Sequence, residues 1–389
     1  MKTLVAKKFA IAAIAALLVL EIPFAPLAPA DTALADTTPA DIALNATLEL
    51  EPAVPVESPV KLIEVARSER QWTGVTLSRE GRIFVNYPRW SDSVTFSVGE
   101  IGASGEARPF PDRRWNNWNP SLAPEQHFIC VQSVYVDRDN FLWIVDAANP
   151  KFQGAIANGI KLVQVDLSKN EVVSTIHFDD SVAPLASYLN DVRIDTERNY
   201  AYLTDSELGA LIVVNLTTGE SRRLLDNSST TEAENIALVI EGKKWRSPDG
   251  KIPQVHSDGL ALDLTGDYLY FQALSGRSLY RIETKWLRDE SLSEAELEEK
   301  VEFLARTGAA DGIEFAPDGY VYISALEDNA IKRYSPEGKL EIVVQDDRLA
   351  WPDSFAIGPD NSIYVTTSQI HRGANPPEPY RIFKLRLGE

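Results

Sequence analysis

Six in-phase copies of one short pattern set the strongest limit on what this chain can fold into. Each copy opens on a small polar pair. A run of alternating apolar residues follows, then an acidic or glycine turn and a second apolar run. The copies read TGVTLSREGRIFVNY from Thr73, QSVYVDRDNFLWIVD from Gln132 and NDVRIDTERNYAYLTD from Asn190. They continue with DGLALDLTGDYLYFQA from Asp258, DGIEFAPDGYVYISA from Asp311 and DSFAIGPDNSIYVTT from Asp353. Alternation with a period of two, interrupted by turn residues, specifies strands. Asp318-Gly319, Thr218-Gly219 and Glu337-Gly338 suit hairpin turns, where glycine accepts a positive φ. No single copy can bury both faces of its own sheet. Six units of roughly four strands, stacked radially, bury them all. The expected fold class is therefore all-β, a six-bladed β-propeller over residues 60–389.

The ends of the repeat array are also legible. VKLIEV from Val60 precedes the first copy and is expected to pair with the last strand near Tyr380, closing the ring and removing the open sheet edges. Between Ser291 and Arg306 the text changes period. Ser293 with Glu296 fits a capping box, Glu296 and Lys300 form an i,i+4 pair, and Leu297, Val301 and Leu304 share a helical face. The spacing predicts one short amphipathic helix between blades four and five.

Ahead of the repeats, Lys2, Lys7 and Lys8 lead into an apolar run from Phe9 to Leu20, followed by small-residue sites at Ala28-Pro29-Ala30 and Ala33-Leu34-Ala35. The run is too short to span a bilayer and has the layout of a secretory signal. Residues 1–35 are read as that signal and 36–59, rich in Pro, Ala, Thr and Glu, as a flexible linker. The expected product is secreted, extracellular or periplasmic, with no membrane contact after cleavage. Its 57 acidic residues against 38 basic give a net charge of −19, which disfavours a nucleic-acid partner. The lone Cys130 excludes an internal disulfide framework.

The first position of each copy stands at the start of an innermost strand, so Thr73, Gln132, Asn190, Asp258, Asp311 and Asp353 are expected to face one another around the central channel. Three carboxylates converging there repel and raise one another's pKa. The pattern leaves three uses open: a hard cation such as Ca²⁺, an ammonium ligand, or capping of neighbouring turns. His256, two residues before Asp258, is a candidate general base. Two long segments could wall a ligand pocket through Trp115 and Trp245, whose rings can stack on a planar molecule or face a cation.

These residues bring the sequence close to a known family. FVNYPRW from Phe84, SVYVDRDNFLWIVDAA from Ser133, YLNDVRID from Tyr188 and the stretch from Asp258 to Asp289 resemble, in order and spacing, the blocks of the major royal jelly and Yellow proteins. The resemblance implies a secreted six-bladed propeller. It also implies one of several activities: conversion of dopachrome, binding of biogenic amines, or a nutritive or structural role. The family's usual cysteine pairs are missing. More distantly the chain is similar to gluconolactonase and regucalcin propellers. Of their four calcium ligands, Asn190 and Asp258 match, while Thr73 and Gln132 stand at the other two positions. The leading expectation is a small aromatic ligand at the channel, with dopachrome-type tautomerisation by Asp258, His256, Asp311 and Asp353. The alternatives are a non-catalytic binder of cationic amines and a calcium-dependent lactone hydrolase.

Overall fold

Each copy of the repeat becomes an antiparallel four-stranded sheet, because its alternating residues bury one face against each neighbouring copy. The computed structural model describes residues 49–56, 60–373 and 375–386, within a compact unit from Glu49 to Glu389. The expected signal at 1–35 and the linker up to residue 48 lie outside the described residues. The innermost strands of blades one to six are Val75–Leu77, Val131–Val136, Leu189–Asp195, Ser257–Leu262, Ala310–Phe315 and Pro352–Ile357. Each pairs with the strand that follows it in sequence, and the sheets continue outward in order. Six of the seven apolar clusters among the described residues are each built from two adjacent blades, and the seventh gathers loop residues around Trp351. The protein is thus a six-bladed β-propeller.

Ring closure follows the expected pairing. Leu62–Ser68 is the outermost strand of blade six, antiparallel to Tyr380–Leu385, with Leu62 opposite Leu385 and Ser68 opposite Tyr380. The last blade is therefore built from both ends of the propeller segment. Upstream, Val54–Pro55 adds a fifth, parallel strand to the outer edge of blade five. The Glu51 amide donates to the Arg306 carbonyl of blade four (3.0 Å) and the Val56 amide to Ile342 of blade five (3.0 Å). The end of the stretch read as a linker is thus held against these two blades.

The amphipathic helix is present but short. Ser293 caps Glu294–Glu298 in a full capping box with Glu296, and Leu297 is buried beneath it. The predicted continuation is instead the strand Glu302–Arg306, the fourth strand of blade four, so the helix lies within that blade. The sheet needs its outer strand there, and a short apolar run fits helix and strand periods alike. Two further short helices, Arg113–Asn116 and Thr284–Arg288, lie among the described residues. No described helix is long and apolar enough to cross a membrane.

Candidate functional site at the mouth of the central channel

The six strand-start residues do surround the channel, and their backbones weld the ring. Most innermost strands carry a bulge just after this position, for example between Val131 and Ser133 and between Ala310 and Ile313. A bulge re-aims side chains and frees backbone groups. Those groups are met by polar side chains of the second strands, all buried. The Gly74 amide donates to Asn86 Oδ1 (2.9 Å), Asp191 to Thr204 (3.0 Å), Asp311 to Ser324 (3.1 Å) and Ser354 to Thr366 (3.1 Å).

Each strand-start carbonyl then meets the preceding blade. Thr73 Oγ1 donates to the Gln132 carbonyl (2.9 Å), Ser133 to Asn190 (2.7 Å), Thr204 to Asp258 (2.8 Å) and Thr366 to Thr73. At the remaining two contacts glycine allows direct approach. A Cβ on Gly259 would lie 2.5 Å from the Asp311 carbonyl, and one on Gly312 would lie 2.3 Å from that of Asp353. Much of the repeated polar pair is therefore architecture.

The side chains divide into two groups. Thr73 and Gln132 are engaged: the Thr73 hydroxyl also accepts from Asn86 Nδ2 (2.8 Å), and Gln132 Oε1 accepts from the Tyr188 hydroxyl (2.9 Å). Asn190 Nδ2 reaches Ser206 Oγ at 3.3 Å. Asp258, Asp311 and Asp353 converge instead. Each is buried, and each pKa is raised, first by loss of solvent and then by neighbouring carboxylates. Asp258 and Asp311 are in hydrogen-bonding contact. Asp258 is held well above the ordinary range. Asp311 is pushed up to about 7, its rise opposed by the Trp351 indole N–H at 2.6 Å. Two buried carboxyl groups so placed disfavour holding two negative charges at once. Asp353 takes a hydrogen bond from Ser354 on Oδ1 (3.1 Å), and its buried Oδ2 has no partner.

Below this cluster the channel is plugged. Arg193 of blade three crosses to blade five, donating from Nη2 to Glu314 Oε2 and to the Ile313 carbonyl, both at 2.9 Å. Asp191 lies 3.9 Å from Arg193 Nη1, and Tyr135 lies under the guanidinium at 5.1 Å. At the far end Arg138 reaches the Leu264 carbonyl of blade four. The carboxylates therefore face the strand-start end. Asp191, Arg193 and Glu314 are not among the residues expected at the site, yet their signal is in the sequence: charges at alternate positions of NDVRID (Asp191, Arg193, Asp195) and a lone Glu314 within DGIEF, strands otherwise fit to be buried.

The aromatic walls are not those the loops suggested. Trp115 packs on Phe128 at 5.1 Å in the contact between blades one and two. Trp245 stands edge-on to Trp351 at 4.8 Å, so it supports the indole that touches Asp311. At the mouth itself stand Trp90, Phe152 and Tyr188. Trp90 Nε1 donates to the Tyr188 hydroxyl (2.7 Å), and Phe152, 59% exposed, stacks on Tyr188 at 5.5 Å. Lys151 and Phe152 both hold left-handed backbone (φ 58° and 54°), an uncommon conformation for such residues. His256 is turned elsewhere. Its Nδ1 accepts from the Ala233 amide (3.0 Å), and burial lowers its pKa against the opposing charges of Glu232 and Asp205. Cys130 is a buried thiol, pushed up to about 12 by burial, as an inert core cysteine should be.

A calcium centre of the lactonase kind does not fit these residues. Thr73 and Gln132 spend their oxygens on protein contacts. Among the described residues, no group of three or more His, Cys, Asp or Glu is arranged to hold a metal ion.

Comparison with known proteins agrees with this architecture. The major royal jelly protein family matches residues 129–386. Major royal jelly protein 5 of Apis mellifera is 26% identical over 231 residues, covering 55% of this chain and 35% of that protein. Major royal jelly protein 7 of the same species is 24% identical over 219 residues, 52% of this chain and 46% of that protein. The matched region thus spans less than half of either relative. Among solved structures, a calcium-binding regucalcin from Agrobacterium tumefaciens superposes with a TM-score of 0.51 at 15% identity, covering 86% of this chain and 96% of that one. A gluconolactonase from Xanthomonas campestris gives 0.51 at 12% identity, over 88% and 99%. At such identities the likeness concerns the fold alone.

Proposed function

The chain belongs to the major royal jelly protein family, and from that premise we propose that it takes a small aromatic molecule at the mouth of its channel and moves a proton on it. The Asp258–Asp311 contact carries this reading. A tautomerisation needs a base to remove a proton from a ring carbon and an acid to return one elsewhere. A proton-sharing carboxyl pair supplies both without an external oxidant. Asp311, restrained by Trp351, is the base, and Asp258 is the acid. Phe152, Tyr188 and Trp90 offer the planar surface beside them.

The test substrate is dopachrome. The purified chain is expected to accelerate its decay, and Asp311→Asn or Asp258→Asn to reduce that rate by roughly 100-fold or more. A decay no faster than the spontaneous one refutes the catalytic reading.

A second reading rests on the unpartnered Asp353 Oδ2, which suits an ammonium group. It makes the protein a non-catalytic binder of cationic aromatic amines. Calorimetric heat on titrating serotonin, lost in Asp353→Asn and without dopachrome turnover, supports it. The same proposal includes export by the segment 1–35, checked by N-terminal sequencing of protein recovered outside the cytoplasm.

A further inference from the structure

Residues 49–56 cross from the outer strand of blade four, Glu302–Arg306, to that of blade five, Leu340–Gln345. Their pairing is strand addition at a sheet edge, with Val54 opposite Glu341 and Pro55 opposite Ile342 in parallel. The Glu51 amide donates to the Arg306 carbonyl and the Val56 amide to that of Ile342, backbone to backbone, so little is asked of the side chains. Pro55 loses nothing in this register, because Val56 supplies the inward donor, and a proline there stops a further strand from adding outside it. Pro52 and Pro55 fix their own φ on either side of Ala53 and Val54, so the arm is stiffened before it docks and loses less entropy on docking.

Ala53 packs on the apolar cluster between blades four and five, while Leu50 and Val54 stay 49% and 60% exposed. The arm is thus held by a few backbone bonds and one small side chain. Tethering sustains so slight a contact: a short connection keeps a segment near its site at an effective concentration of roughly millimolar order. Here residues 57–61 join the arm to the closing strand Leu62–Ser68. Backbone pairing does not distinguish a chain's own arm from a neighbour's. We propose that this edge of blades four and five is a docking site for residues 49–56 of a second copy, so that two molecules exchange arms while each propeller stays closed. The occupant is the segment already seated there, in a known register. Reciprocal exchange makes the same contacts twice and closes as a dimer.

Paired cysteines in the full chain test this. The native Cys130 is buried and does not compete. Val54 and Glu341 are directly opposed, a spacing that a disulfide can bridge. The double variant Val54→Cys, Glu341→Cys is expected to close within one chain when dilute. An equimolar mixture of the two single variants, oxidised at roughly millimolar chain, is expected to yield more heterodimer than both homodimers together, whereas random linkage gives equality. Ala53→Arg added to the Val54→Cys chain removes the anchor and is expected to abolish that excess, as is a surplus of the free peptide 49–56. An unchanged melting temperature verifies the fold of each variant. Closure of the double variant without a heterodimer excess in the mixture means that the arm keeps to its own propeller, and overturns the proposal. An excess that survives Ala53→Arg, or a double variant that does not close, overturns it as well. The proposal does not depend on the channel chemistry, so the dopachrome experiment can fail without affecting it.

Discussion

Asp311 shows how one residue ties the site to stability. Its carboxyl is buried, touches Asp258 and accepts the Trp351 indole N–H, and its pKa is pushed up to about 7 in the folded chain. An unfolded aspartate titrates near 3.9. Between these values the folded state binds more protons than the unfolded one, so stability falls as pH rises through that window. Asp311→Asn, which resembles the protonated acid, is expected to abolish this loss. Its melting temperature should match or exceed that of the parent at pH 8 and fall short of any such gain at pH 4. An identical pH profile in both proteins would refute the sign. A different buried charge is purely structural. Lys161 Nζ is fully enclosed, 2.7 Å from Asp146 Oδ2, while Asp146 also accepts from the amides of Ile129, Cys130 and Ala148. Lys161→Met strands that carboxylate and is expected to cost about 3–5 kcal/mol in urea denaturation.

At the scale of the element, the innermost strand is where repeat and chemistry compete for the same positions. The bulge after the strand start, present in blades two to six, turns one side chain toward the mouth and leaves an amide for the second strand to satisfy. This is why Thr204, Ser324 and Thr366 are polar yet fully buried near the ends of apolar strands, and Asn86 does the same for the Gly74 amide in blade one without a bulge. Blades four and five use Asp-Gly so that the carboxylate projects while the glycine lets the next blade's carbonyl approach. A methyl at Gly312 meets backbone, which cannot step aside as a flexible side chain would. Gly312→Ala is expected to destabilise the protein by about 1–3 kcal/mol, read as a lower denaturation midpoint with an unchanged slope. A silent substitution there would show that the blades are not in close contact at this point.

For the whole molecule, closure and access are the governing features. Leu62–Ser68 completes blade six from the opposite end of the propeller segment, so the ring has no free inner start. Removing residues 1–70 exposes the edge of Tyr380–Leu385 along with the apolar contact between blades five and six. Such a chain is expected to self-associate, seen as a rise in mean mass by light scattering, because an open edge templates pairing. A monomeric, cooperatively melting product would contradict that role. The channel opens toward the strand starts, with Arg193 across its middle and Arg138 across its far end. The carboxylate cluster thereby lies toward one mouth, where the hairpin Val239–Ile240 and Lys243–Lys244, whose Glu241 pairs with Arg372, packs in one apolar cluster with Trp351.

Period-two alternation repeated six times determined the propeller, its blade order and its closing strand, because burial of alternate residues is a local property of the text. The same repeat marked the six strand starts, since they occupy one phase of the pattern. What it could not separate was architecture from site. Thr73 and Asp311 hold equivalent positions, yet one hydroxyl is spent on the neighbouring blade and the other side chain joins a carboxyl pair. That difference depends on which residues the ring brings opposite each other. Trp351, Tyr188 and Phe152 reach the mouth from three different loops, and Trp245 supports it at one remove. Helical spacing after Ser293 likewise gave way to blade four's need for an outer strand. Distances between residues remote in sequence exist only once the ring is closed, and these distances set the carboxyl contact, the plug and the single open mouth.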